Sequence, residues 1–162
     1  MNTRVGIGYD SHRFTAGRPL RIAGITVPHT HGLAGHSDGD VALHAIIDAL
    51  LGAAALGDIG QHFPDDDPQW RGVDSARLLK KVVETLQAAG FTIGQVDLTV
   101  MVERPKLAHM IGPMRAATAK ALGLAEGAVS IKAKTNEGMG WIGRGEGIAA
   151  IAVATIAQAA SG

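Results

Sequence analysis

The side chains of this 162-residue chain that can do chemistry fall into three groups. The first is Asp10, His12 and His44. Asp10 and His12 are two apart, so in an extended segment both point the same way and can share one ion. His44 lies in the apolar run Val-Ala-Leu-His-Ala-Ile-Ile. A lone histidine there is more often a hydrogen-bonded core residue than a ligand, and Asp-x-His alone is an equally weak signal. Together, two histidines and a carboxylate make a known catalytic zinc set that leaves the fourth position open. Asp40 and Asp48 lie four residues either side of His44, on its helical face. Either can orient a ligand histidine from behind. For Asp40 taken singly, the simpler role is to favour the helix start.

The second group is the run Thr135 to Gly147, which holds five glycines with Glu137 and Arg144. Backbone N–H groups in such a run can converge on an anion, and Arg144 can add a bidentate contact to phosphate. Thr135 offers a hydroxyl, and Glu137 is a hard oxygen ligand suited to Mg²⁺ beside a phosphate. The run lacks the Gly-Lys-Ser/Thr ending of a Walker A loop. Its plain alternative is a loop joining two strands. The third group is Gly57 to Gly60 with Phe63 to Pro68, where carboxylates near glycine can bind polyol hydroxyls. Asp66 and Asp67 read as a solvated turn before Pro68. A divalent-metal site beside a phosphate cradle suits metal-assisted displacement at a phosphate ester or diphosphate. It does not name a substrate.

These groups need elements to position them. Arg4 to Tyr9 reads as a strand leading into a polar turn, and Leu20 to Val27, around Gly24, as a hairpin or an edge strand. Ser37 and Asp38 are cap residues for a helix from about Gly39 to Leu56. Asp74 caps a second helix whose apolar positions, Leu78, Leu79, Val82, Val83 and Leu86, follow the 3.6 period up to Gly90. Val96 to Val102 is a strand, Pro113 to Gly123 a helix and Val129 to Lys134 a short strand. Gly147 to Gln158 is ambiguous: its alanines favour helix, while its Ile and Val fall on both faces, which a fully buried strand also gives. The expectation is an α/β chain, in the α+β two-layer sense: a mixed β-sheet packed against helices on one face.

Composition narrows the function class. The formal net charge is zero and aromatics are 4%, which speaks against a nucleic-acid surface or a basic membrane patch. Cysteine is absent, which removes disulfides, thiolate metal sites and a thiol nucleophile. Hydrophobic residues are 46%, enough for one packed domain over 1–162. No apolar leader or bilayer-length stretch is visible, so a cytoplasmic location is expected.

In order along the chain stand Asp10-Ser11-His12, His36-Ser37-Asp38-Gly39-Asp40 leading to His44, Ala49 to Gly60, Phe63-Pro64-Asp65, and Gly143-Arg144-Gly145-Glu146-Gly147. This set resembles the 2-C-methyl-D-erythritol 2,4-cyclodiphosphate synthase family of the non-mevalonate isoprenoid pathway, over essentially the whole chain. The resemblance implies a homotrimer with active sites between subunits, and a strand for the C-terminal segment. It implies conversion of 4-diphosphocytidyl-2-C-methyl-D-erythritol 2-phosphate to the 2,4-cyclodiphosphate and CMP.

By the same resemblance Asp10, His12 and His44 hold one Zn²⁺ per subunit, and Glu137 helps hold Mg²⁺ or Mn²⁺ with the substrate. His36 and Thr135 stabilise the phosphoryl group in the transition state. His36, Ser37, Asp58, Ile59, Gly60, Phe63 and Asp65 line the methylerythritol and phosphate pocket, and Ser11 is a further substrate-binding residue. Val102, Pro105, Lys106, Leu107 and Ala108 form the cytidine pocket, where backbone contacts leave the side chains of Glu103 and Arg104 little part. Trp141 and Arg144 lie near the threefold axis, beside a cavity able to hold an isoprenoid diphosphate. Lys134 and Asn136 stand where many members have threonine, which leaves the role of Lys134 open. His29, His31, His62 and His109 read as solvated loop positions. Two rival readings are a 2-His-1-carboxylate iron oxygenase and a non-catalytic trimeric diphosphate-binding module.

Overall fold

The computed structural model describes residues 2–158. Its first strand, β1 (Asn2–Thr15), runs well past the expected Arg4–Tyr9 segment. The reason is its partner. β7 (Gly147–Gln158) lies antiparallel along nearly all of it, with Asn2 opposite Gln158 and Arg13 opposite Gly147. Side chains alternate across β1, with Gly6 and Gly8 buried and Val5, Ile7 and Tyr9 exposed. The glycines are required by a close approach. A Cβ on Gly8 would lie 1.9 Å from the Ala45 carbonyl oxygen, and one on Gly6 2.0 Å from that of Ala49. The backbone of the helix α1 (Val41–Ala54) thus rests directly on the strand.

β2 (Leu20–Ile22) and β3 (Ile25–Val27) form a hairpin rather than a single edge strand. Ala23 and Gly24 both take positive φ, 51° and 81°, as a two-residue hairpin turn of this type demands. Asp40, rather than Ser37 or Asp38, caps α1. Its fully buried carboxylate accepts from Leu43 N at 3.1 Å and also from Ala23 N and Gly24 N at 2.9 and 2.8 Å. One side chain therefore starts the helix and holds the hairpin turn.

The short β4 (Gly32–Leu33) adds to β1, and α2 (Ile59–His62) follows α1. Asp74 caps α3 (Ser75–Ala88) as expected, accepting from Ala76 N at 2.9 Å. β5 (Phe91–Met101) and β6 (Val129–Lys134) are parallel, joined through α4 (Ile111–Leu122), which ends on Gly123 with φ 69°. α5 (Gly140–Gly143) is a single turn before β7. The sheet order is β4-β1-β7-β5-β6, and only β5–β6 is parallel, so the sheet is mixed.

The segment whose residues fitted helix or strand is a strand, β7, as the family resemblance implied. Ile148, Ala150, Ala152, Ala154 and Ile156 are fully buried, while Ile151 and Val153 stand on the other face. Alanines on the inner face leave room for α1 to lie close across β1 and β7. Helices thus cover one sheet face, as expected. Among the described residues no helix is long and apolar enough to cross a membrane.

Candidate active site

The close seating of α1 on β1 brings His44 to Asp10 and His12. Asp10 Oδ2 lies 2.8 Å from His12 Nε2 and 3.1 Å from His44 Nδ1, and the two ring nitrogens are 3.2 Å apart. The Ala34 carbonyl, 2.6 Å from His12 Nδ1, can only accept, so that nitrogen carries the proton and Nε2 keeps its lone pair. Acceptor atoms gathered this closely repel unless a cation lies among them. The electrostatics agree. Burial works to raise the Asp10 pKa, yet the hydrogen bonds to His12 and His44 hold it at about 2. Burial works to lower His12, yet its hydrogen bond to Asp10 raises it. One carboxylate oxygen and two imidazole nitrogens within 4.8 Å of one another fit a divalent ion of the zinc type.

A cavity of about 240 Å³ opens beside this cluster, lined also by Gly35, His36, Ser37, Ile59, Gly60, Phe63 and Asp65. His36 Nε2 is buried and has no hydrogen-bond partner. A buried polar nitrogen left unpaired is costly and calls for a ligand partner. Arg18 fixes the segment that carries it, donating to Gly35 O at 2.8 Å and to Ser37 O. Asp58 caps α2 through Gln61 N at 2.9 Å and is exposed beside Ile59. Ser11 faces away from the cavity, beside Arg13, Trp141 and Glu146.

A second cavity, of about 640 Å³, is lined by Val102, Pro105 to Ala108 and Lys132 to Thr135. Within one chain it is separate from the first. The adjoining loop carries Glu137 with φ 52°, its N–H 3.4 Å from Thr135 Oγ1. Glu103 holds that loop, its two oxygens accepting from Asn136 N at 3.0 Å and Gly138 N at 3.1 Å. Arg144 donates to Glu146 Oε2 from Nε at 3.0 Å and Nη2 at 2.7 Å.

The YgbB family model matches residues 3–157. The chain belongs to this family, that of the 2-C-methyl-D-erythritol 2,4-cyclodiphosphate synthases. It is 56% identical over 156 residues to a protein of that name from Salinibacter ruber, covering 96% of this chain and 99% of the relative. The solved structure of the bifunctional IspDF from Campylobacter jejuni matches with TM-score 0.94 and 39% identity, over 98% of this chain and 43% of that one. An IspF–CDP complex from Plasmodium falciparum matches with TM-score 0.84 and 29% identity, over 97% of each.

In this synthase-family chain several sequence expectations change. Neither Asp40 nor Asp48 bonds His44: Asp40 serves the hairpin and helix, and Asp48 accepts from Ile59 N at 2.8 Å. The residues behind His44 are Ser37 and Ser75, of which Ser75 was not foreseen. Glu103 has the loop-holding part the sequence reading denied it. Asp67 is no idle turn residue but caps the short 3₁₀ turn Pro68–Trp70. His62 is half-buried and donates from Nε2 to Leu56 O at 2.8 Å, so it is not a solvated loop residue. His29, His31 and His109 are exposed. Trp70, missed as a lone aromatic, lines the first cavity edge-on to Phe63.

Proposed function

We infer that the chain catalyses the reaction its family is named for: 4-diphosphocytidyl-2-C-methyl-D-erythritol 2-phosphate goes to 2-C-methyl-D-erythritol 2,4-cyclodiphosphate and CMP. The observation that carries this reading is the convergence of Asp10, His12 and His44 in a cavity that also holds an unpartnered His36 nitrogen. Zn²⁺ bound by the three supplies a Lewis acid for a phosphoryl oxygen. The chain's own residues do the rest. His36 donates from Nε2 to the phosphoryl group as its charge grows, and Thr135 donates its hydroxyl from the other cavity. Ile59, Gly60 and Phe63 hold the methylerythritol carbons, while Ser37, Asp58 and Asp65 hold its polar groups; Ser11, which faces away from the cavity, takes no part. The 2-phosphate oxygen bonds to the β-phosphorus, and the bond from that phosphorus to the bridging oxygen breaks, releasing CMP. Nucleophile and electrophile belong to one substrate, so positioning supplies much of the rate.

The cytidine is held by Val102, Pro105, Lys106, Leu107 and Ala108, with Lys134 at the edge. The CDP bound by the Plasmodium falciparum relative supports a cytidine nucleotide as ligand. Glu137 helps hold Mg²⁺ or Mn²⁺ against the diphosphate. The two cavities of one chain are separate, and in this reading they meet across subunits of a homotrimer. An exposed apolar sheet face supports that assembly: Val5, Ile7 and Tyr9 are 66%, 70% and 54% accessible. Trp141 and Arg144 then sit by the axis, where an isoprenoid diphosphate would have to displace Glu146 from Arg144. A cytoplasmic setting belongs to the same reading, since it supplies nucleotide-derived substrates.

The test is turnover of the cytidyl substrate with Zn²⁺ and Mg²⁺, followed by phosphorus NMR. A cyclic diphosphate with equimolar CMP, abolished by chelation, is expected. Intact substrate with folded, metal-loaded protein would sink the reading.

A further inference from the structure

His44 is held from behind by two hydroxyls, one on Ser37 of the cavity lining and one on a residue outside it. Its Nε2 lies 2.8 Å from Ser75 Oγ and 3.0 Å from Ser37 Oγ. Ser75 is the first residue of α3 and is fully buried. Its hydroxyl donates to Asp38 Oδ1, and its backbone N–H donates to Asp38 Oδ2 at 3.1 Å. Asp38 also accepts from Asp40 N at 3.1 Å and has the Arg21 guanidinium 3.9 Å away. Neither Ser75 nor Asp38 lines the cavity beside the ligand cluster.

The protons in this chain of bonds can be assigned. A carboxylate only accepts, so the Ser75 hydroxyl proton goes to Asp38. Ser75 Oγ can then only accept on its other side, and the proton in the 2.8 Å contact belongs to His44 Nε2. A neutral imidazole carries one ring proton, and two acceptors compete for it: the Asp10 carboxylate, 3.1 Å from Nδ1, and Ser75 Oγ, 2.8 Å from Nε2; held by Ser75, the proton leaves Nδ1 with its lone pair. That nitrogen is the one facing Asp10 and His12.

We propose that Ser75 and Asp38 are positioning residues for the metal centre: they fix His44 as its Nε2–H tautomer and keep Nδ1 aimed at the ion. The proposal rests on the metal reading above. His44 needs such a device because its neighbours on α1, Leu43, Ala45, Ile46 and Ile47, are buried apolar residues that cannot set a tautomer. Partners of this kind behind a ligand histidine are worth about 10–100-fold in metal affinity. Two changes separate the hydrogen bonding from mere packing. Ser75→Ala removes the acceptor. Asp38→Asn keeps the shape but replaces one acceptor oxygen by an NH₂ that must face either Ser75 N–H or Asp40 N–H, so the pairing that orients the Ser75 hydroxyl is disrupted.

The experiment begins with unaltered, metal-free protein labelled with ¹⁵N-histidine. Long-range ¹H–¹⁵N correlation reads the His44 tautomer, assigned by comparison with His44→Gln. Nε2–H is expected, and Nδ1–H overturns the relay. Zn²⁺ affinity by chelator competition should fall about 10–100-fold in Ser75→Ala and in Asp38→Asn, and the absorption bands of the Co²⁺-loaded protein should shift. Unchanged affinity and bands in both variants, with circular dichroism like the parent, overturn the proposal. If a variant does not fold, the tautomer of the parent still decides. Failure of the parent to bind either ion overturns the metal reading itself, whereas ion binding with an Nδ1–H His44 overturns only the relay.

Discussion

At the ligand cluster, protons and metal compete for the same atoms, because a bound ion needs unprotonated nitrogens. His12 is the sensitive one. Its Nδ1 is committed to Ala34, so the titrating atom is Nε2, and the Asp10 hydrogen bond raises its pKa despite burial. A raised pKa means that a proton holds Nε2 to higher pH than in an ordinary histidine. Zinc affinity should therefore fall as pH is lowered from 8 to 6, by about tenfold per pH unit for each proton displaced; a flat profile in chelator competition would speak against these ligands. A second residue-level expectation concerns Glu103, whose two oxygens hold the loop that carries Glu137. Glu103→Ala should lower kcat/KM about tenfold, some 1.4 kcal/mol, and raise the Mg²⁺ requirement while leaving zinc content unchanged in metal analysis. Asp10 and His12 were legible in the sequence because a two-residue spacing reports a strand face directly. Ser75 was not, because it meets His44 across 31 positions of chain, through tertiary packing alone. Asp40 has the helix-start role expected of it singly, but the alternative that it or Asp48 backs His44 fails for a related reason: four-residue spacing shares a helix face, yet the imidazole turns toward β1 while Asp40 turns toward the hairpin.

Between elements, two devices set the site. Gly6 and Gly8 let α1 touch β1, and Asp40 ties the β2–β3 turn to the start of that helix. Asp40→Ala would remove a helix cap worth about 1 kcal/mol and strand two further N–H groups at about 1–3 kcal/mol each if they stay dry. A loss of about 3 kcal/mol is expected, lowering Tm by roughly 6–12 °C in calorimetry; a shift within 2 °C or so would show that water replaces the carboxylate. Most element types could be read from periodicity and caps. The start of α1 could not, since Ser37, Asp38 and Asp40 are all good cap residues and only the hairpin donors choose among them. The far half of β1 was also hidden. Its inner face carries Asp10 and His12 in place of apolar residues, so it reads as a polar turn until β7 is placed beside it.

For the molecule as a whole, one sheet face carries Val5, Ile7, Tyr9, Ile151 and Val153 to the surface. Ile7→Asp, at the centre of β1 and 70% accessible, should cost the chain little by itself. In the proposed trimer it would bury a charge at every contact. Light scattering should find single chains, with zinc retained and turnover lost; an intact trimer would mean that this face is not the interface. The sheet order has a further consequence, for how the protein is made. β7, the last strand, lies between β1 and β5, and Asn2 pairs with Gln158. A ribosome still holding residues 147–158 withholds the central strand. Until release, β1 and β5 share no neighbour, and α1 has only half of its floor to settle on. Nascent chains of this topology gain little by folding as they emerge. The floor on which α1 carries His44 to Asp10 and His12 is thus completed only once β7 has left the ribosome, and any factor that delivers an ion there would meet the sheet already closed.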